Sequence, residues 1–409
     1  MNVTPRFFRC GIRCDYIRGR FNIDSALFCV LFFSLLQLSH ANAATRQGDD
    51  VFPPPQRDFA DYIGESKAYI ERHQMQHRSQ FSVEINSPFE ITAQKDVTYR
   101  GRFLLIHGLN DSPFVWNDIA QSLSSLGFDV RAILLEGSGT TPKAMLDVSY
   151  RDWLQDARLH LQNWDTDDIP IYLGGFSLGG VLATILALEN PSVDGLLLIS
   201  PAYHSKLNRL LRWSWLYQKF KPWVFGGMII EDNPAKYNSI PINSVTQYFN
   251  TTRYLKHRWR RRKLQIPVVM VATSDDSVID VDFMRSIYRN RFKHDQKRFI
   301  LYTNDTSIES KETELHRSSK YLQRRILNQS HQSLVNNISN PLFGESRGVL
   351  VCNGNTPDVF FGCLRSSEHW YGAQHTPSPD GIAVARTTYN PDYDFIVEQI
   401  DAILRQSNE

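Results

Sequence analysis

Short apolar segments alternate with amphipathic ones through the middle of the chain. Strands are predicted at residues 103–106, 128–135, 170–173, 195–200, 266–271 and 299–302. Helices are predicted at residues 114–125, 148–164, 181–188 and 281–292. The strand segments are apolar along their length instead of alternating, which is typical of a parallel sheet covered by helices on both faces. The pattern therefore predicts an α/β fold with a mostly parallel sheet.

The rest of the chain is less regular. A helix is predicted at 59–74, one or two strands at 81–93, and an amphipathic terminal helix at 392–405. Residues 201–265 interrupt the rhythm with many aromatic and basic side chains, and residues 340–390 are rich in Gly, Pro, Asn and Ser. These two stretches predict an insertion and an extension attached to the main domain.

The first 43 residues have the pattern of a secretory signal peptide. Five arginines precede an apolar run at 26–38, which ends at Ala41-Asn42-Ala43. The run is shorter than the roughly 20 apolar residues that span a bilayer. We therefore expect export to the periplasm or the extracellular space, with an uncleaved membrane anchor as the alternative.

Removal of this leader changes the cysteine content and the charge. Three of the five cysteines would leave with it, and Cys352 and Cys363 would remain. In an exported protein this pair predicts a disulfide that closes a small loop, and two free buried thiols are the alternative. Without residues 1–43, the formal net charge falls from +2 to −1. That charge, and a pI of about 8.2 for the full chain, argue against a nucleic-acid partner.

A possible nucleophile lies in Gly175-Phe-Ser-Leu-Gly179. This G-x-S-x-G follows a predicted strand and opens a predicted helix, the setting in which Ser177 would occupy a strained turn with an exposed hydroxyl. The alternative is a glycine-rich turn that only permits close packing. The backbone N–H groups of Leu109 and Leu178 are predicted to form an oxyanion hole. His107, beside Leu109, more plausibly shapes its loop than transfers protons.

An acid and a histidine are expected later in the chain. Asp275 and Asp276 follow the strand at 266–271, and we favour Asp276 because Ser277-Val-Ile279 resembles the usual turn after the acid. The alternative is that these carboxylates cap the next helix.

The candidates for the base are few. His331 is favoured because it follows Ile326-Leu327, taken as the last strand. His369 and His375, in an aromatic loop, remain alternatives. His294 and His316 lie in polar stretches, the latter in a predicted helix, and are expected to be solvated.

These segments resemble the α/β-hydrolase superfamily, in particular its carboxylesterase and monoacylglycerol-lipase-like branch. The resemblance is carried by six segments, at residues 104–112, 134–140, 146–153, 174–180, 330–344 and 389–393. It implies an α/β-hydrolase domain at 99–409 after an N-terminal extension at 44–98. The domain would carry a cap insertion at about 201–265 and a Cys-containing extension at about 332–390.

The chain departs from the family pattern in two places. Glu136 and Ser138 replace the Pro and His of a Pro-Gly-His-Gly loop, which puts substrate contacts there in doubt. The 55 residues from Asp276 to His331 are about twice the usual interval, which makes His331 the weakest of the three assignments.

The resemblance implies a serine carboxylic ester hydrolase that acts on a small-molecule or lipid ester, with no metal and no organic cofactor. An acyltransferase with the same triad, or a non-catalytic binding protein, are the alternatives. The aromatic residues of the cap are expected to form its own small core and its basic run a solvated helix face. Alternatively, the aromatics line an acyl pocket and the basic run meets a membrane surface.

Overall fold

A computed structural model describes residues 51–74, 80–224, 233–237, 239–260, 262–346, 349–352 and 357–405. The predicted signal peptide and its three cysteines lie outside the described residues. Residues from Phe52 onward form one compact unit. The predicted N-terminal extension is therefore continuous with the main domain from Phe52.

Eight strands form the central sheet. They are β1 Phe89–Ile91, β2 Gly101–Ile106, β3 Phe128–Ile133, β4 Ile171–Phe176, β5 Val193–Ile199, β6 Val268–Thr273, β7 Lys297–Thr303 and β8 Glu314–Ser318. Their order across the sheet is β1-β3-β2-β4-β5-β6-β7-β8. Only β1 is antiparallel to its neighbour, and β2 to β8 are parallel. The chain thus has the mostly parallel sheet of the predicted α/β-hydrolase fold.

Eleven helices are described. They are α1 Phe59–His73, α2 Gln80–Asn86, α3 Asn117–Ser125, α4 Tyr150–Trp164, α5 Leu178–Glu189, α6 Asn208–Leu211, α7 Ser214–Tyr217, α8 Ile242–Trp259, α9 Val281–Arg291, α10 Pro357–Arg365 and α11 Tyr393–Arg405. Short 3-10 turns lie at Pro113–Trp116, Pro142–Leu146, Leu322–Arg324 and Ser333–Val335.

The helices cover the sheet on both faces. Buried side chains of α4, α5, α8 and α9 form one hydrophobic core with the strands. Buried side chains of α3 and α11 form the other. The strands β4 and β6 are buried at every position, which is why their sequences are apolar throughout.

Three local predictions are wrong. The stretch 81–93 holds the end of α2 as well as the short strand β1, so it is not strand alone. His316 lies in β8 and not in a helix. Ile326 is joined to Tyr371 only through an isolated bridge, so 326–327 is not the last strand of the sheet. The strand β8 was missed because its sequence, Glu-Leu-His-Arg-Ser, is polar at an exposed sheet edge.

The extension after His331 has its own small core. Cys352 and Cys363 form a disulfide with their Cα atoms 5.9 Å apart. Both cysteines are buried with Ala385. The strands β9 Trp370–Gly372 and β10 Val384–Arg386 pair in parallel beside them.

The first part of the insertion after β5 does not bury the aromatic side chains that were expected to form a small core. Its helices α6 and α7 lie near α8, and Thr246 donates a hydrogen bond to Ser214 at 2.8 Å. However, Trp213, Trp215 and Tyr217 are exposed. The prediction that the cap aromatics bury one another is wrong for these residues, because α6 and α7 span only four residues each and have little buried surface. Lys256 and His257 are exposed at the end of α8, as expected.

Among the described residues, no helix combines the length and the apolar character needed to cross a bilayer.

The packing of α5 on β2 predicts that alanine substitutions at two glycines change the free energy of unfolding in opposite directions. A Cβ at Gly179 would lie 2.0 Å from the carbonyl oxygen of Ile106, whereas a Cβ at Gly64 would meet nothing within 4 Å. We expect Gly179→Ala to lower the free energy of unfolding by about 1–3 kcal/mol or more, because a backbone must shift. Gly64→Ala, in the exposed part of α1, should raise it by about 0.5–1 kcal/mol. Urea unfolding of both variants measures the two free energies. Equal unfolding midpoints for the two variants would refute the close packing at Gly179.

Candidate active site

Ser177 occupies a strained turn between β4 and α5. Its backbone angles are φ 53° and ψ −115°, a conformation that costs a non-glycine residue about 1–3 kcal/mol. The turn is held because Ser177 donates its N–H to Ile199, at 3.1 Å, and accepts from the N–H of Ala202, at 3.0 Å. The side chain is only half-buried, so the turn presents a hydroxyl at the carboxyl edge of the sheet.

Glycines on both sides of Ser177 make this turn possible. A Cβ at Gly175 would lie 2.4 Å from the carbonyl oxygen of Gly179, and one at Gly180 would lie 2.7 Å from Pro201. Larger residues at these positions would separate β4 from α5. The G-x-S-x-G spacing therefore follows from how closely the strand and the helix approach.

The loop after β2 passes directly beside this turn. A Cβ at Gly108 would lie 3.2 Å from the Cβ of Ser177. Leu109 follows and is half-buried, and Asn110 adopts a positive φ of 55°. Leu178 begins α5, so its N–H is among the first amides of the helix, which have no partner within the helix. Both amides predicted for the oxyanion hole thus belong to segments that adjoin Ser177.

His107 is used by the loop itself. It is fully buried, its Nδ1 lies 2.8 Å from the carbonyl oxygen of Gly108, and its Nε2 accepts the N–H of Leu135 at 3.1 Å. Burial lowers its pKa. A neutral, doubly hydrogen-bonded ring supports a role in joining the loops after β2 and β3 rather than in proton transfer.

Asp276 lies in the turn after β6 and is completely buried. Its Oδ1 accepts the backbone N–H groups of Val278, at 2.8 Å, and Ile279, at 3.1 Å. Its Oδ2 lies 2.6 Å from Nδ1 of His331. Both oxygens are satisfied, so the carboxylate is fixed in orientation.

His331 contacts both Asp276 and the end of β4. With Nδ1 directed at Asp276, its Nε2 is left for another partner. The imidazole packs against the ring of Phe176, with centroids 5.1 Å apart, one residue before Ser177. The structure therefore brings His331 to Asp276 and to the β4 end that carries Ser177.

The His331 loop is positioned by the Cys-containing extension. Ser330 donates its hydroxyl to the carbonyl oxygen of Thr387, at 2.6 Å, and Thr387 donates to that of Asn328, at 2.7 Å. Asn336, beyond the histidine, donates to the carbonyl oxygen of Thr388 at 2.7 Å. The long interval from Asp276 to His331 is occupied by α9, β7 and the additional strand β8.

The alternative candidates have other partners. Asp275 accepts hydrogen bonds from Ser319 and Asn328, and burial raises its pKa. His369 is hydrogen-bonded to the carbonyl oxygen of Cys363 at 2.8 Å. His375 lies in the extension with a positive φ of 64°.

A second link to the acid turn was missed from the sequence. Lys206 donates its ammonium to the backbone carbonyl oxygen of Asp276 at 2.5 Å, and its N–H to that of Val278 at 3.2 Å. Ser205 also donates its hydroxyl to Val278. The start of the insertion is thus bonded to the turn that contains Asp276, which no sequence motif indicated.

The loop after β3 carries the departures from the family pattern. Tyr237, from the insertion, donates its hydroxyl to the carbonyl oxygen of Gly137 at 2.5 Å and accepts the N–H of Thr140 at 3.0 Å. The hydroxyl of Ser138 is buried and has no hydrogen-bond partner among the described residues. The carbonyl oxygen of Glu136 accepts the indole N–H of Trp153 at 2.9 Å. Glu136 and Ser138 therefore belong to a loop that is hydrogen-bonded to the insertion on one side and to α4 on the other.

In the part of the chain that the structure describes, no cluster of three or more His, Cys, Asp or Glu side chains is arranged to hold a metal ion.

Comparison with known proteins identifies the family. Residues 98–304, just over half of the chain, match the family model described as serine aminopeptidase, S33 (Hydrolase_4). The chain belongs to this family of α/β hydrolases.

Two curated relatives match over short segments. Phospholipase YtpA of Bacillus subtilis (strain 168) is 27% identical over 113 residues, which are 26% of this chain and 44% of that protein. The thermostable monoacylglycerol lipase of Bacillus sp. (strain H-257) is 27% identical over 99 residues, 24% of this chain and 40% of that protein. The chain thus spans less than half the length of these relatives.

The solved structures similar to this chain include two lipolytic enzymes. One comes from work on LipS and LipT, two metagenome-derived lipolytic enzymes, with a TM-score of 0.46 and 20% identity, covering 54% of this chain and 92% of that one. Another is a soluble variant of monoglyceride lipase from Saccharomyces cerevisiae, with a TM-score of 0.45 and 17% identity, covering 53% of this chain and 81% of that one.

The carboxyl of Asp156, near Glu136 in the loop after β3, predicts a dependence of stability on pH. Burial, and then the nearby charge of Glu136, raise the pKa of Asp156 from 3.8 to about 8. The folded state therefore binds this proton more tightly than the unfolded state does, so the stability associated with it is lost as the pH rises from about 4 to about 8.

We expect Asp156→Asn to be more stable than the wild type at pH 8, by about a few kcal/mol, with the difference shrinking towards pH 5. Urea unfolding across this pH range measures it. Asp96→Asn, at an exposed position, is the control and should show no such trend. A pH-independent difference for Asp156→Asn would contradict the assignment.

Proposed function

We propose that this protein is an exported serine carboxylic ester hydrolase with Ser177, Asp276 and His331 as its catalytic triad. The observation that carries the proposal is the 2.6 Å contact of Asp276 with His331 beside the strained Ser177 turn. The chain order of nucleophile, acid and histidine is that of α/β hydrolases. The substrate is a small-molecule or lipid ester.

In this proposal the ester carbonyl carbon is attacked by Oγ of Ser177 while Nε2 of His331 takes its proton. Asp276 orients the imidazole through Nδ1 and stabilises its charged form. The alcohol leaves with that proton, and a water molecule, activated by His331 in turn, releases the acid from the acyl-enzyme. Every step is supplied by side chains of this chain, and neither a metal nor an organic cofactor takes part.

The oxyanion hole is assigned to the backbone N–H groups of Leu109 and Leu178. Their segments meet at Gly108, where an added Cβ would lie 3.2 Å from the Cβ of Ser177, closer than an ordinary contact. Loss of one such donor typically costs about 3–4 kcal/mol of transition-state stabilisation. The amino end of α5 adds a favourable dipole for the developing negative charge.

The insertion at about 201–265 is proposed as a cap over this site. Its residue Tyr237 clamps the loop after β3, and its residue Lys206 binds the acid turn. A structure bonded to both loops is placed to cover an acyl chain bound at Ser177.

Ester hydrolysis provides the direct test of the triad. We expect Ser177→Ala and His331→Ala each to lower kcat/KM for a p-nitrophenyl ester by about 10³-fold or more, because the triad acts as a unit. His375→Asn is the matched control and should retain activity. An inactive His375 variant with an active His331 variant would overturn the assignment. Added acceptor alcohols in the same assay reveal an acyltransferase if transfer exceeds hydrolysis.

The export proposal makes a separate prediction. Intact-mass measurement of protein collected outside the cytoplasm should show a chain that begins at Ala44, two hydrogens lighter than the reduced form because Cys352 and Cys363 are joined. A full-length chain in the membrane fraction would instead support an uncleaved anchor, and labelling of both thiols would remove the disulfide.

A further inference from the structure

The first part of the insertion exposes an unusual number of large apolar side chains. Seven lie between residues 207 and 220, half of the fourteen large apolar side chains that are exposed among the described residues. They are Leu207, Leu210, Trp213, Trp215, Leu216, Tyr217 and Phe220. Phe220 is 79% exposed and Leu210 is 69% exposed. Single exposed apolar residues are ordinary, but a patch of this size marks an interaction surface.

The same segment is basic. Lys206, Arg209, Arg212, Lys219 and Lys221 are interspersed with the apolar residues, all are exposed, and the sequence from 203 to 224 contains no Asp or Glu. Arg212 and Lys219 lie over the faces of Trp213 and Trp215, at 5.3 Å and 5.7 Å from the ring centroids. We call these seven apolar and five basic side chains the cap patch.

We propose that the cap patch binds the surface of an anionic lipid bilayer. Tryptophan and tyrosine prefer the boundary between headgroups and acyl chains, and basic side chains nearby are attracted to anionic lipids. A segment with apolar and basic residues side by side satisfies both requirements. The helices α6 and α7 span four residues each and leave these apolar side chains exposed to water, so contact with a bilayer would bury them.

Charge argues against a second copy of this chain as the occupant. In a two-fold symmetric dimer the same patch would face itself. Five positive charges on each side, with no acidic residue in the segment, would then repel one another. An anionic bilayer provides the complementary charge.

The position of the patch links it to the proposed catalytic site. Lys206 opens the patch and is hydrogen-bonded to the backbone of Asp276. Val278, in the same turn, is 45% exposed and accepts the N–H of Lys206. Binding of the patch to a bilayer would therefore hold the acid turn close to the lipid surface, where a lipid ester would be reached. This link to catalysis rests on the proposed ester hydrolase, whereas the lipid binding itself does not.

Vesicle flotation tests the proposal without any substrate. We expect the purified wild type to bind vesicles of phosphatidylcholine with phosphatidylglycerol about tenfold or more better than vesicles of phosphatidylcholine alone, and added salt to weaken the binding. Leu210→Ser with Phe220→Ser should lower binding about tenfold, since two exposed apolar contacts are lost. Lys219→Gln with Lys221→Gln should lower it about fivefold for each charge removed.

Matched variants elsewhere on the surface control for general effects. Leu322→Ser with Phe361→Ser removes two other exposed apolar side chains, and Arg72→Gln with Lys95→Gln removes two other exposed charges. All variants are prepared in the same form of the chain, so that residues 1–43 contribute equally. The control variants should float as the wild type does.

Three results would overturn the proposal. They are failure of the wild type to float with anionic vesicles, equal binding to the two kinds of vesicle, and unchanged binding by the cap-patch variants. Light scattering without lipid tests whether a second copy of the chain occupies the cap patch instead. A wild-type dimer that becomes a monomer in the Leu210→Ser, Phe220→Ser variant would show that the patch pairs two copies. Hydrolysis of a soluble p-nitrophenyl ester should be equal in wild type and patch variants, and its absence in all of them would count against the proposed function but not against lipid binding.

Discussion

The site depends on one constraint, the close approach of β4 and α5 around Ser177. Ser177 keeps a positive φ because Gly175, Gly179 and Gly180 have no side chains that would push the strand and the helix apart. The fully buried strand and the apolar helix then hold the turn from both sides. A strained backbone of this kind persists where many surrounding contacts fix it. Here it presents the hydroxyl of Ser177 at the carboxyl edge of the sheet.

The other parts of the site are placed by the sheet. Because β2, β4 and β6 run parallel, the loops that follow them meet at one edge. The loop after β2 contacts Ser177 at Gly108, and the turn after β6 carries Asp276. His331 lies in a later loop, after β8, and the sheet alone does not fix the position of this loop. Its position depends on hydrogen bonds to Thr387 and Thr388 in the extension, which also contains the Cys352–Cys363 disulfide.

Much of the fold could be predicted from the sequence, for a physical reason. Buried parallel strands must be apolar throughout, so β4, β5 and β6 are visible as continuous runs. The strand β8 was missed because an edge strand is half solvated and can be polar. The cap aromatics were misjudged because composition does not reveal which apolar side chains find partners. Backbone links such as that of Lys206 to Asp276 join residues 70 positions apart, and no local pattern encodes them.

The proposed mechanism requires Ser177 to be an activated nucleophile. The most direct measurement is covalent labelling by a fluorophosphonate, followed by mass spectrometry of the labelled peptide. We expect a single adduct on Ser177 in the folded protein, absent in His331→Ala and retained in His375→Asn. Folded wild-type protein that takes no label, or takes it at another serine, would show that Ser177 is not the activated nucleophile.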